Sequence, residues 1–499
     1  MLYTSTRDHG VRVSAAQAIA QGISREGGLF VPESVPALLP RELEALAGMD
    51  YIARAEAILV KFLTGEGGGE GWRREEIARC VRAAYENSFP APGAAPLCAL
   101  PDGKTFLLEL FHGPTCAFKD IALQLLPQLL TAAAKKVLSG REVIILTATS
   151  GDTGKAALEG FCDVPGTKIA VFYPSEGVSE MQRLQMVTQE GENVRVIGVR
   201  GNFDDAQSGV KAIFGDRALA ARMAAAGKVF SSANSINWGR LLPQIVYYIS
   251  AYCDLLRQGA LSGGQALDFV VPTGNFGNIL AAYYAKEMGL PVRRLLCASN
   301  RNRVLTDFLQ SGCYDRRRAF FTTLSPSMDI LISSNLERLL WLCSGGDCQA
   351  VAGWMAQLAR EGCYSVPEAL LQKIQSVFAA GDCDDAQTGE TIRRVYETQG
   401  YLSDTHTAVA LHALQVWRGR TGEALPAVVV STASPFKFAG SVLAAIQPGA
   451  VPADPFAAAQ ALEALSGVPC PAQLKALARK PVRFREICEP KDMKDYILF

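Results

Sequence analysis

The sequence predicts an α/β protein built on parallel sheets, and three observations predict it. Short β-branched or apolar runs recur along the chain, with helix-like stretches of ten or more residues between most of them. Three turn-forming junctions follow such runs and open helical segments, the arrangement of βαβ units. Hydrophobic residues make up 49% of the 499, enough for sheets covered on both faces. At about 150 residues per domain, this length corresponds to roughly three domains.

Taken in chain order, residues 1–92 read as mostly helical, with an ordered entry turn at Glu26-Gly27-Gly28-Leu29-Phe30-Val31-Pro32. The glycine-rich stretch 65–71 reads as the most flexible loop, and the proline-rich stretch 90–96 as the first boundary. Strand-like runs follow at 105–110, 143–147, 168–173, 194–199, 269–272, 295–298 and 427–431. Between about 325 and 400 the pattern turns helical and charged with few strand candidates, which predicts an inserted lobe. After Gly440 the chain is alanine-rich and helical, then polar around Pro481 and Pro490. No internal repeat or low-complexity tract interrupts this order.

Composition excludes several function classes. Lysine plus arginine total 49 and aspartate plus glutamate total 49, so the chain lacks the basic excess of a nucleic-acid binder. No run approaches the roughly 18 uninterrupted apolar residues of a membrane span. The first ten residues lack the basic-then-apolar layout of a secretory signal, so a cytoplasmic protein is expected. The 13 cysteines contain no C-x-x-C pair, and only four histidines occur, at 9, 112, 406 and 412. That pattern speaks for reduced, packed thiols and against a metal centre.

The junctions carry the chemistry. The first is Thr147-Ala148-Thr149-Ser150-Gly151-Asp152-Thr153-Gly154, the second Pro272-Thr273-Gly274-Asn275-Phe276-Gly277-Asn278, and the third Val430-Ser431-Thr432-Ala433-Ser434-Pro435-Phe436. Each stands where backbone N–H groups and a helix dipole converge on a ligand. None matches a Walker A loop or a G-x-G-x-x-G fingerprint, so both nucleotide readings are weak. Gly274 to Asn278 can still present successive N–H groups to one phosphate. Lys119 follows a run of small and apolar residues and begins an apolar-periodic helix, a place where a lysine can lose basicity and act as a Schiff-base amine. A lysine, one phosphate cradle and a polar loop for a carboxylate together point to pyridoxal phosphate (PLP).

With these residues in order, the chain resembles threonine synthase. The resemblance rests on Phe118-Lys119-Asp120, Ser150-Gly151-Asp152-Thr153-Gly154, Ser235-Ile236-Asn237-Trp238-Gly239-Arg240 and the Gly274–Asn278 loop. Gly27-Gly28-Leu29-Phe30-Val31-Pro32, Ser325-Pro326-Ser327-Met328-Asp329-Ile330 with Ser334-Asn335, and Asp404-Thr405-His406-Thr407-Ala408 add to it. These strings run from about residue 25 to 440, and the N-terminal segment and the 325–400 lobe resemble the family's long form. The family belongs to the fold-type II PLP enzymes, with cysteine synthase and the tryptophan synthase β-subunit among its relatives. Two positions depart from the wider pattern: Asp152 stands where relatives outside the long form usually carry Asn, and Ser434 where the family often has His.

The resemblance implies an α/β fold of two parallel-sheet lobes with a helical N-terminal segment and a helical insertion. Its domains would be a threonine-synthase N-terminal domain at 1–92, a large PLP-binding domain at 93–135 plus 236–440 holding the insertion, a small α/β domain at 136–235, and a C-terminal helical tail at 441–499. It implies conversion of O-phospho-L-homoserine and water to L-threonine and phosphate, by a monomer or homodimer without a metal. Lys119 would be the Schiff-base lysine and proton shuttle, with Phe118 beside the cofactor ring. Gly274, Asn275, Phe276, Gly277 and Asn278 would hold the cofactor phosphate, and Thr432 would face the pyridine nitrogen. Thr149, Ser150, Asp152 and Thr153 would receive the substrate carboxylate. Arg240, with Asn234, Ser235 and Asn237, is the candidate site for the substrate phosphate. His112 and His406 are equally readable as site or structural residues. Other readings of the same residues are a PLP lyase yielding a keto acid, and a binding protein that retains the fold.

Overall fold

The computed structural model describes residues 1–65, 71–91, 93–176, 178–447 and 449–497, and in it all seven predicted strand runs enter one of two sheets. The larger sheet runs Phe378–Asp382, Val292–Ser299, Leu267–Pro272, Ala427–Ser431, Thr105–Glu109, Leu97–Ala99. Its strands are parallel apart from the last pair. The smaller sheet runs Ile487–Cys488, Val194–Val199, Thr167–Pro174, Glu142–Ala148, Lys228–Ser232, and is parallel throughout. Helices cover both faces, which is why the strands read as continuous apolar runs: Val428, Val429 and Val430 are all wholly buried. The glycine-rich loop predicted at 65–71 falls largely on residues 66–70, outside the described residues.

The structure also holds strands that the pattern hides. The N-terminal segment, read as mostly helical, contains a three-stranded antiparallel sheet of Val13–Ser14, Leu2–Ser5 and Phe30–Pro32. Strands of two to four residues are too short to show a period-2 pattern. The insertion read as helical contributes the edge strand Phe378–Asp382 to the larger sheet and one strand of a two-stranded ribbon, Cys313–Asp315 with Cys363–Ser365. Phe378–Asp382 carries a single bulky apolar side chain, so nothing in its composition marks a strand. Lys228–Ser232 and Ile487–Cys488 complete the smaller sheet in the same unannounced way.

Helix packing sets the distance between the two sheets. Helix Lys119–Val137 contains Pro127, whose missing N–H leaves the Leu123 carbonyl without its helical donor. Helix Asp152–Phe161 crosses at that point with Gly160, where an added Cβ would stand 1.9 Å from the Leu123 oxygen. Only glycine permits that approach. Helix Trp238–Arg257 is buried over most of its length, and the Trp238 ring lies 5.5 Å from Tyr3, 5.8 Å from Phe62 and 5.3 Å from Tyr284, centroid to centroid. The N-terminal helices are fixed there by the buried Arg54, which donates to the Leu46 carbonyl, the Ser250 hydroxyl and Asp254.

Candidate active site

A cavity opens between the two sheets, at the C-terminal ends of strands Leu267–Pro272, Ala427–Ser431 and Glu142–Ala148, where open parallel sheets bind ligands. All three predicted junctions border it.

Lys119 is the first residue of its helix and only 8% exposed. The segment before it is fastened to the third junction: the Phe118 N–H donates to the Thr432 carbonyl at 2.8 Å, and Ala117 bridges Ala433. Its Nζ donates to the Ser327 hydroxyl at 3.4 Å and lies 3.7 Å from Asp152 Oδ2 and 5.3 Å from the centre of the Phe118 ring. Burial pushes the Lys119 ammonium down to about 8; Asp152 opposes this, while Lys437 and Arg240 reinforce it. The amine is thus within reach of its neutral, nucleophilic form near neutral pH.

The second junction is pre-shaped. Phe276 holds φ +62°, a left-handed conformation rare for an aromatic residue, and caps helix Gly277–Glu287. The loop is pinned from behind: the Ser333 hydroxyl donates to the Gly274 carbonyl at 2.8 Å, and Asn335 donates to the Asn275 carbonyl through its backbone N–H and its side chain, both at 3.1 Å. Glycine is needed at 274 because a Cβ there would stand 2.8 Å from the Ser327 carbonyl oxygen. The hydroxyls of Tyr247 and Tyr248 both donate to Asn278 Oδ1, which turns the amide so that Nδ2 is a donor. Among the described residues that buried Nδ2 has no acceptor, and neither has the buried Nε of Arg240, another cavity-lining residue. The orphaned Asn278 Nδ2 and the free N–H groups of a helix start fit the phosphate of a cofactor, and the orphaned Arg240 Nε remains for a second anion.

At the first junction Gly151 has φ +134°, and the Thr149 hydroxyl accepts from the Gly151 and Gly154 N–H groups at 2.9 and 2.8 Å. Thr149, Ser150 and Thr153 line the cavity. Asp152 does not. Its carboxylate is buried beneath the cavity, where Oδ1 takes Lys437 Nζ at 2.6 Å and Gln182 Nε2 at 2.8 Å, and Oδ2 takes the Ser327 hydroxyl at 3.3 Å. Burial works against its ionised form, yet Lys437 and Lys119 hold the carboxyl well below the usual range. Asp152 therefore acts on Lys119 and Ser327 rather than on a ligand directly.

Of the phosphate candidates, Asn234, Ser235 and Arg240 line the cavity, whereas Asn237 does not. The Asn237 side chain is spent on the Ile19 and Ser232 carbonyls and on capping Gly239. Arg240 is buried with Nη1 on the Ala233 carbonyl at 2.6 Å; burial lowers its guanidinium to about 10. Thr432 lines the cavity, and Ser434 caps the short turn Pro435–Phe438.

Sequence reading leaves Ser327 out of the site, although its string, Ser325 to Ile330, is part of the resemblance. In the structure Ser327 is the hub, its hydroxyl between Lys119 and Asp152 and its N–H donating to His406 Nε2 at 3.2 Å. That donation makes Nε2 an acceptor, so the His406 proton resides on Nδ1 and faces Asp404 Oδ2 at 2.7 Å. Lys437 and Gln182 were also passed over; the one signal for Lys437 is a lysine between two phenylalanines, Phe436 and Phe438. His112 pairs with Glu109 at 2.8 Å and does not line the cavity. Among the described residues no group of three or more His, Cys, Asp or Glu could hold a metal, and no helix is long and apolar enough to cross a membrane.

Residues 2–85 match the family description "Threonine synthase N terminus", residues 89–433 "Pyridoxal-phosphate dependent enzyme", and residues 407–497 "Threonine synthase, C-terminal". The chain is 40% identical over 440 residues to human threonine synthase-like 1, covering 87% of this chain and 58% of that protein. The chain thus spans somewhat over half the length of that relative. It is 39% identical over 442 residues to the threonine synthase of Pseudomonas aeruginosa, covering 89% and 90%. Among solved structures, PLP-bound threonine synthase from Brucella melitensis is 37% identical with a TM-score of 0.85, covering 100% of this chain and 98% of that one. Yeast threonine synthase is 32% identical with a TM-score of 0.86 and the same coverage.

Proposed function

Because the chain belongs to the threonine synthase family of pyridoxal-phosphate-dependent enzymes, we propose that it converts O-phospho-L-homoserine and water to L-threonine and inorganic phosphate. The observation that carries the reading is the position of Lys119: a buried amine of lowered basicity between a phosphate cradle and a polar loop suited to a carboxylate. In the overall change the carbon–oxygen bond to phosphate breaks at Cγ, and the oxygen of water is added at Cβ.

Bound PLP supplies an electron sink that acidifies the hydrogens of the substrate carbons. The rest falls to this chain's own residues. Lys119 Nζ holds the cofactor, then takes and returns protons at the substrate carbons, and the Ser327 hydroxyl at 3.4 Å steadies it between those tasks. The Gly274–Asn278 loop and the orphaned Asn278 Nδ2 hold the cofactor phosphate. Phe118 and Thr432 line the cavity and would border the cofactor ring, where Thr432 would offer a neutral hydroxyl that, unlike a carboxylate, does not enforce a protonated ring nitrogen. Thr149, Ser150 and Thr153 receive the substrate carboxylate, while Asp152 acts on Lys119 and Ser327. Arg240, Asn234 and Ser235 bind the substrate phosphate. Asn237 shapes the start of helix Trp238–Arg257 and takes no part in binding. The two lobes would close over the cofactor to exclude water that is not a reactant. The reading includes a cytoplasmic location, which the 13 unlinked cysteines favour, and a monomer or homodimer.

The test is to incubate the purified chain with PLP and O-phospho-L-homoserine and measure threonine and phosphate together. Equal amounts of both are expected. Phosphate accompanied by a keto acid and no threonine would overturn the proposal.

A further inference from the structure

Lys437 is a second buried lysine in the neighbourhood of Lys119, and the roles given above leave it unused. It sits in the short turn Pro435–Phe438, and its side chain is wholly inaccessible. A lysine so placed is tolerated only when it is paired and hydrogen-bonded. Both conditions are met: Nζ lies 2.6 Å from Asp152 Oδ1 and donates to the Thr115 carbonyl at 3.0 Å. Asp152 therefore faces two lysines through different oxygens, Lys437 closely through Oδ1 and Lys119 at 3.7 Å through Oδ2.

The difference in distance has a chemical consequence. A buried carboxylate whose only cation was Lys119 would hold that amine in its protonated form, unable to attack a carbonyl or accept a proton. We propose that Lys437 is a positioning residue that serves as the standing counter-ion of Asp152, and thereby leaves Lys119 free to exist as a neutral amine. The remaining groups around the pair do not duplicate this role. Asp120, the other carboxylate near Lys437, is bonded to the Thr115 N–H and hydroxyl, and burial raises it to about 6. Burial pushes the neighbouring Cys116 thiol up to about 12, so it stays uncharged. On the Lys119 side, Arg240 adds positive charge, and His406 is committed to Asp404 and the Ser327 N–H. Asp152 is thus the anion the two lysines share, and the two distances assign it to Lys437.

The inference rests on the reading of Lys119 as the reactive amine. Its test needs neither substrate nor turnover. The full chain, stripped of cofactor, is labelled with acetic anhydride at a series of pH values, and acetylation of Lys119 is followed by peptide mass spectrometry, with thermal melting as a check on folding. Lys437→Met is expected to raise the labelling midpoint of Lys119 by about one pH unit, a tenfold loss of neutral amine below the midpoint. A folded Lys437→Met protein with the wild-type midpoint would overturn the proposal. If that variant is not recovered folded, Lys437→Gln, which keeps a hydrogen-bond donor for the Asp152 carboxylate but no charge, is measured in its place. The same rise in midpoint is expected; a folded Lys437→Gln protein with the wild-type midpoint would overturn the proposal. Absence of threonine synthesis by the unmodified chain, with the shifts intact, would count against the proposed function instead, so the two failures are distinguishable.

Discussion

Replacing Lys119 with Met should stabilise the cofactor-free protein while abolishing its chemistry. Methionine fills a similar volume without charge. The Lys119 ammonium, pushed down to about 8 by burial from 10.5, is harder to protonate in the folded chain than in the unfolded one. Between these two values the unfolded chain binds more protons, so stability rises with pH across that window; below pH 8 the penalty is fully present. A displacement of about 2.5 units at roughly 1.36 kcal/mol each gives a penalty of roughly 3 kcal/mol at pH 7. With an unfolding entropy of about 1 kcal/mol/K for a chain of this length, the melting temperature of Lys119→Met should exceed wild type by about 3 °C at pH 7. The advantage should fall below half by about pH 9.5, because the wild-type lysine is then neutral in the folded state and the remaining penalty, roughly 1.4 kcal/mol, is that of removing the unfolded chain's proton about one unit below 10.5. Differential scanning fluorimetry of both cofactor-free proteins from pH 7 to 9.5 measures this. A variant less stable than wild type at pH 7, or an advantage that does not change with pH, would refute the reasoning.

Three further outcomes follow from the packing and the site. Gly160→Ala places a methyl 1.9 Å from the Leu123 oxygen and should cost about 3 kcal/mol, seen as a lowered melting temperature with the cofactor spectrum retained in whatever protein remains folded. Gly274→Ala, 2.8 Å from the Ser327 carbonyl oxygen, should displace the loop that carries Ser327 and weaken PLP binding about tenfold, measured by absorbance titration, with little change in melting temperature. Ser327→Ala removes the hydroxyl shared by Lys119 and Asp152 and should lower kcat about 10- to 100-fold with KM nearly unchanged, since the hydroxyl steadies a proton carrier rather than the bound substrate.

Much of this site is legible because its residues lie on strand-to-helix junctions. Glycines at 151, 274 and 277 and a lysine opening an apolar helix leave local traces, and the seven parallel strands leave runs such as Ala427–Ser431. What stayed hidden depends on contacts across long sequence separations. Ser327 reads as an ordinary serine until its 208-residue separation from Lys119 is closed by folding. Lys437 meets Asp152 in the same way. Asn237 shows the converse: it stands in a suggestive string, yet its amide is consumed by the Ile19 carbonyl, 218 residues away. The strand Phe378–Asp382 escaped notice because its neighbour in the sheet, not its own side chains, makes it a strand.

The order of strands in the larger sheet bears on how the chain is made. Ala427–Ser431 lies between Leu267–Pro272 and Thr105–Glu109, and joins them. A chain emerging from the ribosome therefore exports the first of these three strands more than 300 residues before the one that links it to the second. At about 5–20 residues per second, that is roughly 15 to 60 seconds during which Thr105–Glu109 and its neighbours wait with apolar edges unmet. The smaller sheet likewise lacks its edge strand Ile487–Cys488 until about 290 residues after its neighbour Val194–Val199 has emerged. The topology thus predicts strand edges that stay unpaired through much of synthesis, and translation products that stop before Ala427–Ser431 should be recognised as unfolded rather than accumulate as partial enzymes.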